Sequence, residues 1–412
     1  MEVKRVAVTG MGVISPVGND VRTYWTNLLA GKPGVGPLTL IDPEPYTTKI
    51  AAEVKDFDPT DYIERKEARH MERFTHFAVA AADQAIADSG INLDDVDRDY
   101  FGAIVASGIG GMPTFEKQYD NYRNSGPRRV SPFFVPMLIS DISAGYISIK
   151  HGLKGINYCT TSACASASHA IGEAFNSIRF GRAIGMVTGG SEASICAMGM
   201  SGFNALKALS TRNDDPEHAS RPFDKERDGF IMGEGAGILI LEELEHAKNR
   251  GAHIYGEIVG VGFTADAYHI TAPVPGGDGA KRAMDIALRD AELQHTDVDY
   301  INAHGTSTPY NDKVETEAIK ASFGDYAYEV NISSTKSMVG HLLGASGALE
   351  AIATLLSIRD NRIHPTTNYE VPDPECDLNY TPNTAVDTEV DIAISNSFGF
   401  GGHNVCLAFK KY

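Results

Sequence analysis

The chain repeats itself, and few folds accommodate the repeat. An alanine-rich segment with helical spacing, Ala78 to Ser89, leads through Asp94-Asp-Val-Asp97 to the apolar run Gly102-Ala-Ile-Val-Ala-Ser107. Ala280 to Ala291 leads in the same way through Asp297-Val-Asp299 to Tyr300-Ile-Asn-Ala-His-Gly305. Each copy ends on a glycine loop feeding a terminal strand, Gly233-Glu-Gly-Ala-Gly-Ile-Leu-Ile-Leu241 and Gly399-Phe-Gly-Gly-His-Asn-Val-Cys-Leu407. Two similar α/β halves are therefore expected, residues 1–250 and 251–412, joined near Lys248-Asn-Arg-Gly-Ala252. Strands alternating with helices predict mostly parallel sheets covered by helices.

The first half carries the stretch Asn157-Tyr-Cys-Thr-Thr-Ser-Ala-Cys-Ala-Ser-Ala-Ser-His-Ala-Ile171. A β-leaning run passes through small residues into a segment whose apolar positions Ala167, Ile171, Ala174, Phe175 and Ile178 follow helical spacing, with Gly181 as the stop. This reads as strand, sharp turn and a helix buried between the halves, with Cys164 near its N-terminus. Free N–H groups and the helix dipole favour a thiolate there, the form that attacks thioesters, so Cys164 is the candidate nucleophile. A small buried core cysteine is the alternative.

Composition limits the partners. A chain of 412 residues, 42% hydrophobic and 22% charged, can bury a large core. Its net charge of −18, from 36 Lys plus Arg against 54 Asp plus Glu, argues against broad nucleic-acid or anionic-membrane binding. The five cysteines show no metal-ligand spacing and no disulfide framework, which fits a reducing cytoplasm. A strand pattern begins almost at the first residue, leaving no room for a signal peptide, and no run of apolar residues is long enough to span a membrane.

Thr9-Gly-Met-Gly-Val-Ile-Ser-Pro16 has two glycines of a dinucleotide-binding loop, but Ser15 replaces the third and Pro16 follows, so a tight turn is expected there and not a nicotinamide site. Two local basic clusters stand out on this acidic chain, Tyr62 to Arg73 on a helix-compatible stretch and Arg128-Arg129 in a loop. Either receives an acidic partner or forms a solvated face.

The second half supplies two histidines, both after strand-like segments, where parallel sheets present their chemistry. His304 lies in Asn302-Ala-His-Gly-Thr-Ser-Thr-Pro309, and His341 in Ser333-Ser-Thr-Lys-Ser-Met-Val-Gly-His-Leu-Leu-Gly-Ala-Ser-Gly-Ala348, which enters the helix carrying Glu350. Two neutral imidazoles can donate hydrogen bonds to a thioester carbonyl as it becomes an enolate. Lys336 would orient one of them, balanced by Glu350. Phe398-Gly-Phe-Gly-Gly402 offers a flexible loop whose N–H groups could join that of Cys164 in an oxyanion hole; a plain glycine turn explains the same residues.

Together, Thr161-Ser-Ala-Cys-Ala-Ser166, the two histidine motifs and Asn396-Ser-Phe-Gly-Phe-Gly-Gly402 resemble the β-ketoacyl-acyl-carrier-protein synthases of the thiolase superfamily. Ser107-Gly-Ile-Gly-Gly111 and Ser131-Pro-Phe-Phe-Val-Pro136 look like the type II, medium-to-long-chain kind. The resemblance implies a thiolase-like fold, two pseudo-symmetric α/β halves in a layered α-β-α-β-α arrangement. It implies elongation of acyl chains in type II fatty acid biosynthesis: an acyl group moves from carrier-protein phosphopantetheine to Cys164, and malonyl-carrier protein then loses CO₂ and condenses with it. No cofactor is required for catalysis.

By the same resemblance, His304 and His341 support decarboxylation and Lys336 orients them. The N–H groups of Cys164 and Phe400 form the oxyanion hole, and Phe400 gates the pocket. Thr306 and Thr308 hold the pantetheine arm. Ile109, Phe398 and a partner chain's Phe134 shape the acyl pocket, which implies a homodimer. Lys66, Arg69, Arg128, Arg129 and Lys207 dock the acidic acyl carrier protein. Asn302, Glu350, Ser395 and Asn396 match a buried structural site for K⁺ or Na⁺. His403 stands where many relatives carry threonine and is expected to have no separate acid–base role. The alternatives are a discrete polyketide ketosynthase and a non-catalytic partner like a chain-length factor, which loses the nucleophile. A degradative thiolase would need a second cysteine in the C-terminal glycine loop, and Cys406 falls beyond it. A chalcone- or initiation-type synthase would carry asparagine in place of His341.

Overall fold

The computed structural model describes residues 3–412. Its main strands are β1 (Val6–Ile14), β2 (Phe101–Ala106), β3 (Asn157–Tyr158), β4 (Gly185–Glu192), β5 (Gly235–Glu243), β6 (Gly256–Ala265), β7 (Tyr300–Asn302), β8 (Asn331–Ser333), β9 (Ile392–Gly399) and β10 (His403–Lys410). They form one continuous ladder in the order β8-β7-β9-β10-β6-β1-β5-β4-β2-β3. Outward from the β6/β1 joint, both sides show the same sequence of pairings: two antiparallel, then two parallel. The joint itself is antiparallel, with Val6 opposite Ile258, as two equivalent edges related by a twofold axis must be.

The expectation of mostly parallel sheets is thus corrected to mixed ones. β9 and β10 are linked only by Phe400 to Gly402, and a turn that short can join only antiparallel neighbours.

Five helices position the site: α1 (Arg73–Ser89), α2 (Ser166–Arg179), α3 (Asp278–Asp290), α4 (Pro309–Phe323) and α5 (Ser346–Asp360). Alternation along the strands divides the core. Leu239 and Leu241 of β5 and Leu407 of β10 face inward with Ile171, Phe175 and Ile178 of α2 and Ile352 and Leu356 of α5. Ile238 and Ile240 face outward onto Phe77, Ala81 and Ala85 of α1. Cys406 and Ala408 do the same onto Ala283 and Ala287 of α3. The layers run α-β-α-β-α, with α2 and α5 in the middle. Gly181, at φ +70, follows the end of α2.

Gly10 and Gly12 do not make the tight turn expected of them. They lie within β1, and a Cβ on Gly12 would stand 1.9 Å from the Ala81 carbonyl oxygen. Gly262 meets Ala283 at the same 1.9 Å in the other half. Glycine is needed at both positions because an outer helix rests directly on the strand backbone. The basic stretch after Tyr62 is helical only over Arg65–Ala68 before α1 begins. No helix among the described residues is long and apolar enough to cross a membrane.

Candidate active site

Cys164 sits at the tip of a tight turn. Ala163 adopts φ +51, a left-handed conformation that costs a side-chain-bearing residue, and Ser166 locks it. The Ser166 hydroxyl accepts from the Ser162 N–H at 2.8 Å and donates to the Ala163 carbonyl at 2.6 Å. The sulfur therefore emerges just before α2, on the wall of a cavity of about 510 Å³.

Burial pushes the Cys164 thiol up to about 11, against the lowering influence of the Lys336 ammonium and of the Phe400 N–H that hydrogen-bonds the sulfur. The resting group is a thiol, not the thiolate expected from the helix end alone, because desolvation outweighs the nearby positive charge. The turn carrying Phe400 is pressed against Cys164, since a Cβ on Gly399 would lie 3.0 Å from the Cys164 nitrogen. The Phe400 N–H reaches the Cys164 sulfur for this reason.

Both histidines reach the same cavity. The Cys164 sulfur and a ring nitrogen from each of His304 and His341 all lie within 4.8 Å of one another. The two rings meet edge to face with centroids 5.4 Å apart. Their tautomers follow from their partners. Lys336 Nζ, which can only donate, lies 3.4 Å from His304 Nδ1, and the Leu343 N–H donates to His341 Nδ1 at 3.3 Å, joined by the Ser346 hydroxyl at 2.9 Å. Nδ1 is an acceptor on both rings, so Nε2 carries the proton on both. Burial lowers the pKa of each histidine well below the ordinary value, assisted by Lys336 and, for His304, by His341. The site holds two neutral N–H donors.

Lys336 is 1 % exposed, pairs with the equally buried Glu350 and donates to the His304 carbonyl at 2.7 Å. Burial raises the Glu350 pKa against the pull of Lys336. Glu350 Oε2, Asn302 Oδ1, Ser395 Oγ and Asn396 Oδ1 are buried without a hydrogen-bond partner. Asn302 and Ser395 are register partners on adjacent strands and face the inner layer with Glu350. Asn396 does not join them. As the next residue of β9 it points to the opposite face, and its amide donates to Met284 Sδ of α3.

Ile109, Thr306, Thr308, Phe398, Phe400 and the exposed Lys207 line the cavity. Phe134 does not; it lies on the surface against Phe115, beside exposed Tyr119, Val135 and Ile139. Lys66, Arg69, Arg128 and Arg129 are exposed, and none of these or Lys207 forms an ion pair among the described residues. His403 is off the cavity, behind the turn, edge-on to His169.

Three buried acids escaped the sequence reading. Glu315 accepts from the His304 and Gly305 N–H groups, and Asp312 from those of Thr306 and Ser307, so the first turns of α4 hold the histidine loop. Thr308 at the N-cap with Pro309 behind it was the available signal. Burial pushes Glu315 up to about 7 despite those donors. Glu192, an acid ending an apolar strand, receives five hydrogen bonds.

A thiol and two Nε2–H donors around one cavity, on a duplicated α/β scaffold, define a thiolase-fold condensing enzyme. The models of the β-ketoacyl synthase N-terminal and C-terminal domains match residues 3–247 and 255–370, and the chain belongs to the β-ketoacyl synthase family. It is 54% identical to a 3-oxoacyl-[acyl-carrier-protein] synthase 2 of Synechocystis sp., over 100% of this chain and 99% of that one. It is equally similar, at 54%, to a protein of the same name from Staphylococcus aureus, with 99% of each chain covered. Among solved structures, a β-ketoacyl synthase from Burkholderia phymatum superposes with a TM-score of 0.91 at 38% identity, covering 99% of this chain and 100% of that one. A ketosynthase of a type II polyketide system, solved with its acyl-carrier protein and bound to the hexaketide, gives 0.94 at 35% with both chains fully covered.

Proposed function

We propose that this chain elongates acyl groups on an acyl carrier protein in fatty acid synthesis, by decarboxylative condensation with malonyl-carrier protein. The observation that carries the reading is the convergence of the Cys164 sulfur and two imidazole nitrogens within 4.8 Å. In the first step the Cys164 sulfur gives up its proton and attacks the acyl thioester, the oxyanion rests on the N–H groups of Cys164 and Phe400, and the pantetheine sulfur leaves and takes up a proton as the thiol. In the second, His304 and His341 donate through Nε2 to the malonyl thioester oxygen. The carboxylate departs as CO₂, its electron pair forms the enolate, and the enolate carbon attacks the acyl-Cys164 carbonyl, displacing the Cys164 thiolate, which takes a proton from water to return to the resting thiol. Neutral imidazoles suit this step because they stabilise the enolate oxygen without giving up a proton.

The exposed cations Lys66, Arg69, Arg128, Arg129 and Lys207 would receive the acidic carrier on an otherwise acidic protein. Thr306 and Thr308, with hydroxyls 2.9 Å apart on the cavity wall, would hold the pantetheine arm. The exposed apolar surface around Phe134 and Val135 suits a homodimer. Asn302, Ser395 and Glu350 suit a structural K⁺ or Na⁺, since a hard monovalent ion would satisfy three oxygens that otherwise lack partners. The five free cysteines fit the reducing cytoplasm.

Mass spectrometry after mixing with acyl-carrier protein tests the reading. An acyl adduct on Cys164, discharged with CO₂ release when malonyl-carrier protein is added, is expected. Absence of the adduct would favour a scaffold role.

A further inference from the structure

Glu192 ends β4 with its carboxylate fully buried, and all its partners are neutral donors. Oε2 accepts from the Gly108 N–H at 2.8 Å and the Gly344 N–H at 3.1 Å. Oε1 accepts from the Ser194 hydroxyl at 2.9 Å, and from the Ser107 hydroxyl and the Ile109 N–H at 3.3 Å each. One oxygen thus bridges two loops from different halves of the molecule. They touch there: a Cβ on Gly344 would stand 2.2 Å from the Gly108 nitrogen.

Each loop leads to a different part of the cavity. The residue before Gly344 is Leu343, held at φ +48, whose N–H donates to His341 Nδ1 and so fixes the tautomer of that ring. On the other side, Gly108 and Ile109 line the cavity. The Ser107 carbonyl accepts from the Thr161 hydroxyl, three residues before the nucleophile, at 3.0 Å.

We propose that Glu192 is a positioning residue for two steps at once: through Gly344 and Leu343 it holds the His341 ring, and through Gly108 and Ile109 it holds the wall against which a long acyl chain lies. This rests on the condensing activity proposed above and adds the group that keeps its two subsites in register. A two-carbon acyl group on Cys164 has no chain to lay along that wall, and its transfer, which uses the Cys164 and Phe400 N–H groups, makes no use of the His341 donor.

The full-length protein and its E192Q and E192A variants test this through three rates: two-carbon acyl transfer from carrier protein to Cys164, long saturated acyl transfer to Cys164, and CO₂ release from malonyl-carrier protein. Glutamine has one acceptor oxygen where glutamate has two, so at least one arm loses its partner. In E192Q, short transfer is expected within about twofold of the parent, while long transfer, CO₂ release or both fall about tenfold, the effect of one lost hydrogen bond on a rate. In E192A both should fall. A merely structural role would lower all three rates by one common factor; that result in E192Q, or no change in any rate, overturns the proposal. If E192A does not fold, E192Q decides alone. A parent protein inert in all three assays would instead overturn the condensing activity itself, and the proposal with it.

Discussion

Lys336 Nζ lies 3.4 Å from His304 Nδ1 while the same ammonium pairs with Glu350, so a buried ion pair sets which nitrogen of the His304 imidazole carries the proton. Removing one member of such a pair leaves the other charge buried and alone. Lys336→Met is expected to lower stability by about 3 kcal/mol, read from urea unfolding, and to abolish most decarboxylation. Adding Glu350→Met should restore much of the stability and none of the decarboxylation.

The raised pKa of Cys164 gives a pH signature. The alkylation rate by iodoacetamide should still be climbing at pH 10 and level off only towards about 11. The thiol is favoured in the folded state, so its contribution to stability is complete below the unfolded pKa and is lost as pH rises from there through about 11. A plateau near pH 8 would contradict this account.

His304 and His341 should show the opposite edge. Their pKa values are lowered well below 6.5 in the folded chain, so both stay neutral, and CO₂ release by Cys164→Ala should be nearly unchanged between pH 7.5 and 6.5. Below 6.5 the unfolded chain takes up protons that the folded site refuses, so this part of the stability declines with acidification. A rate that halves near pH 6.5 would mean an ordinary exposed histidine.

A bound monovalent cation would make stability depend on the salt chosen. Exchanging K⁺ or Na⁺ for tetramethylammonium at equal ionic strength is expected to lower unfolding free energy by about 2.7 kcal/mol, the value for an ion at a hundred times its Kd. Ser395→Ala should shrink the difference. Asn396→Ala should leave it intact, because that side chain faces the outer layer.

Gly262→Ala places a methyl 1.9 Å from the Ala283 carbonyl oxygen and should cost about 3 kcal/mol or prevent folding. Gly276, at φ +78 in open space, is the comparison, and alanine there should cost about 1 kcal/mol. Thermal unfolding of the two variants distinguishes helix-strand contact from turn strain.

The three groups that converge in the cavity, Cys164, His304 and His341, were legible in the sequence because their setting marks them: a cysteine among small residues ahead of a helix, and histidines set in glycine and serine. What holds those groups was not. Glu192, Asp312 and Glu315 look like ordinary acids until the backbone N–H groups they receive are brought to them by the fold. Gly10 and Gly12 carry the same signature in a turn as under a packed helix, and only the position of α1 distinguishes the two. Asn396 follows Ser395 in the chain yet occupies the other face of the sheet, a consequence of strand direction invisible in a motif. The parallel expectation failed at five pairings around the joint, among them the hairpin through Phe400 to Gly402, because strand direction is set by connections that a motif does not show.

Cys164 stands two residues before α2, and its counterpart two residues before α5 is Gly344. Duplication therefore furnished two elbows of which only the first bears a side chain, since any side chain at 344 would collide with the Gly108 backbone. Under the proposed function only the first elbow offers a sulfur, so titration with acyl donor should saturate at one equivalent per chain.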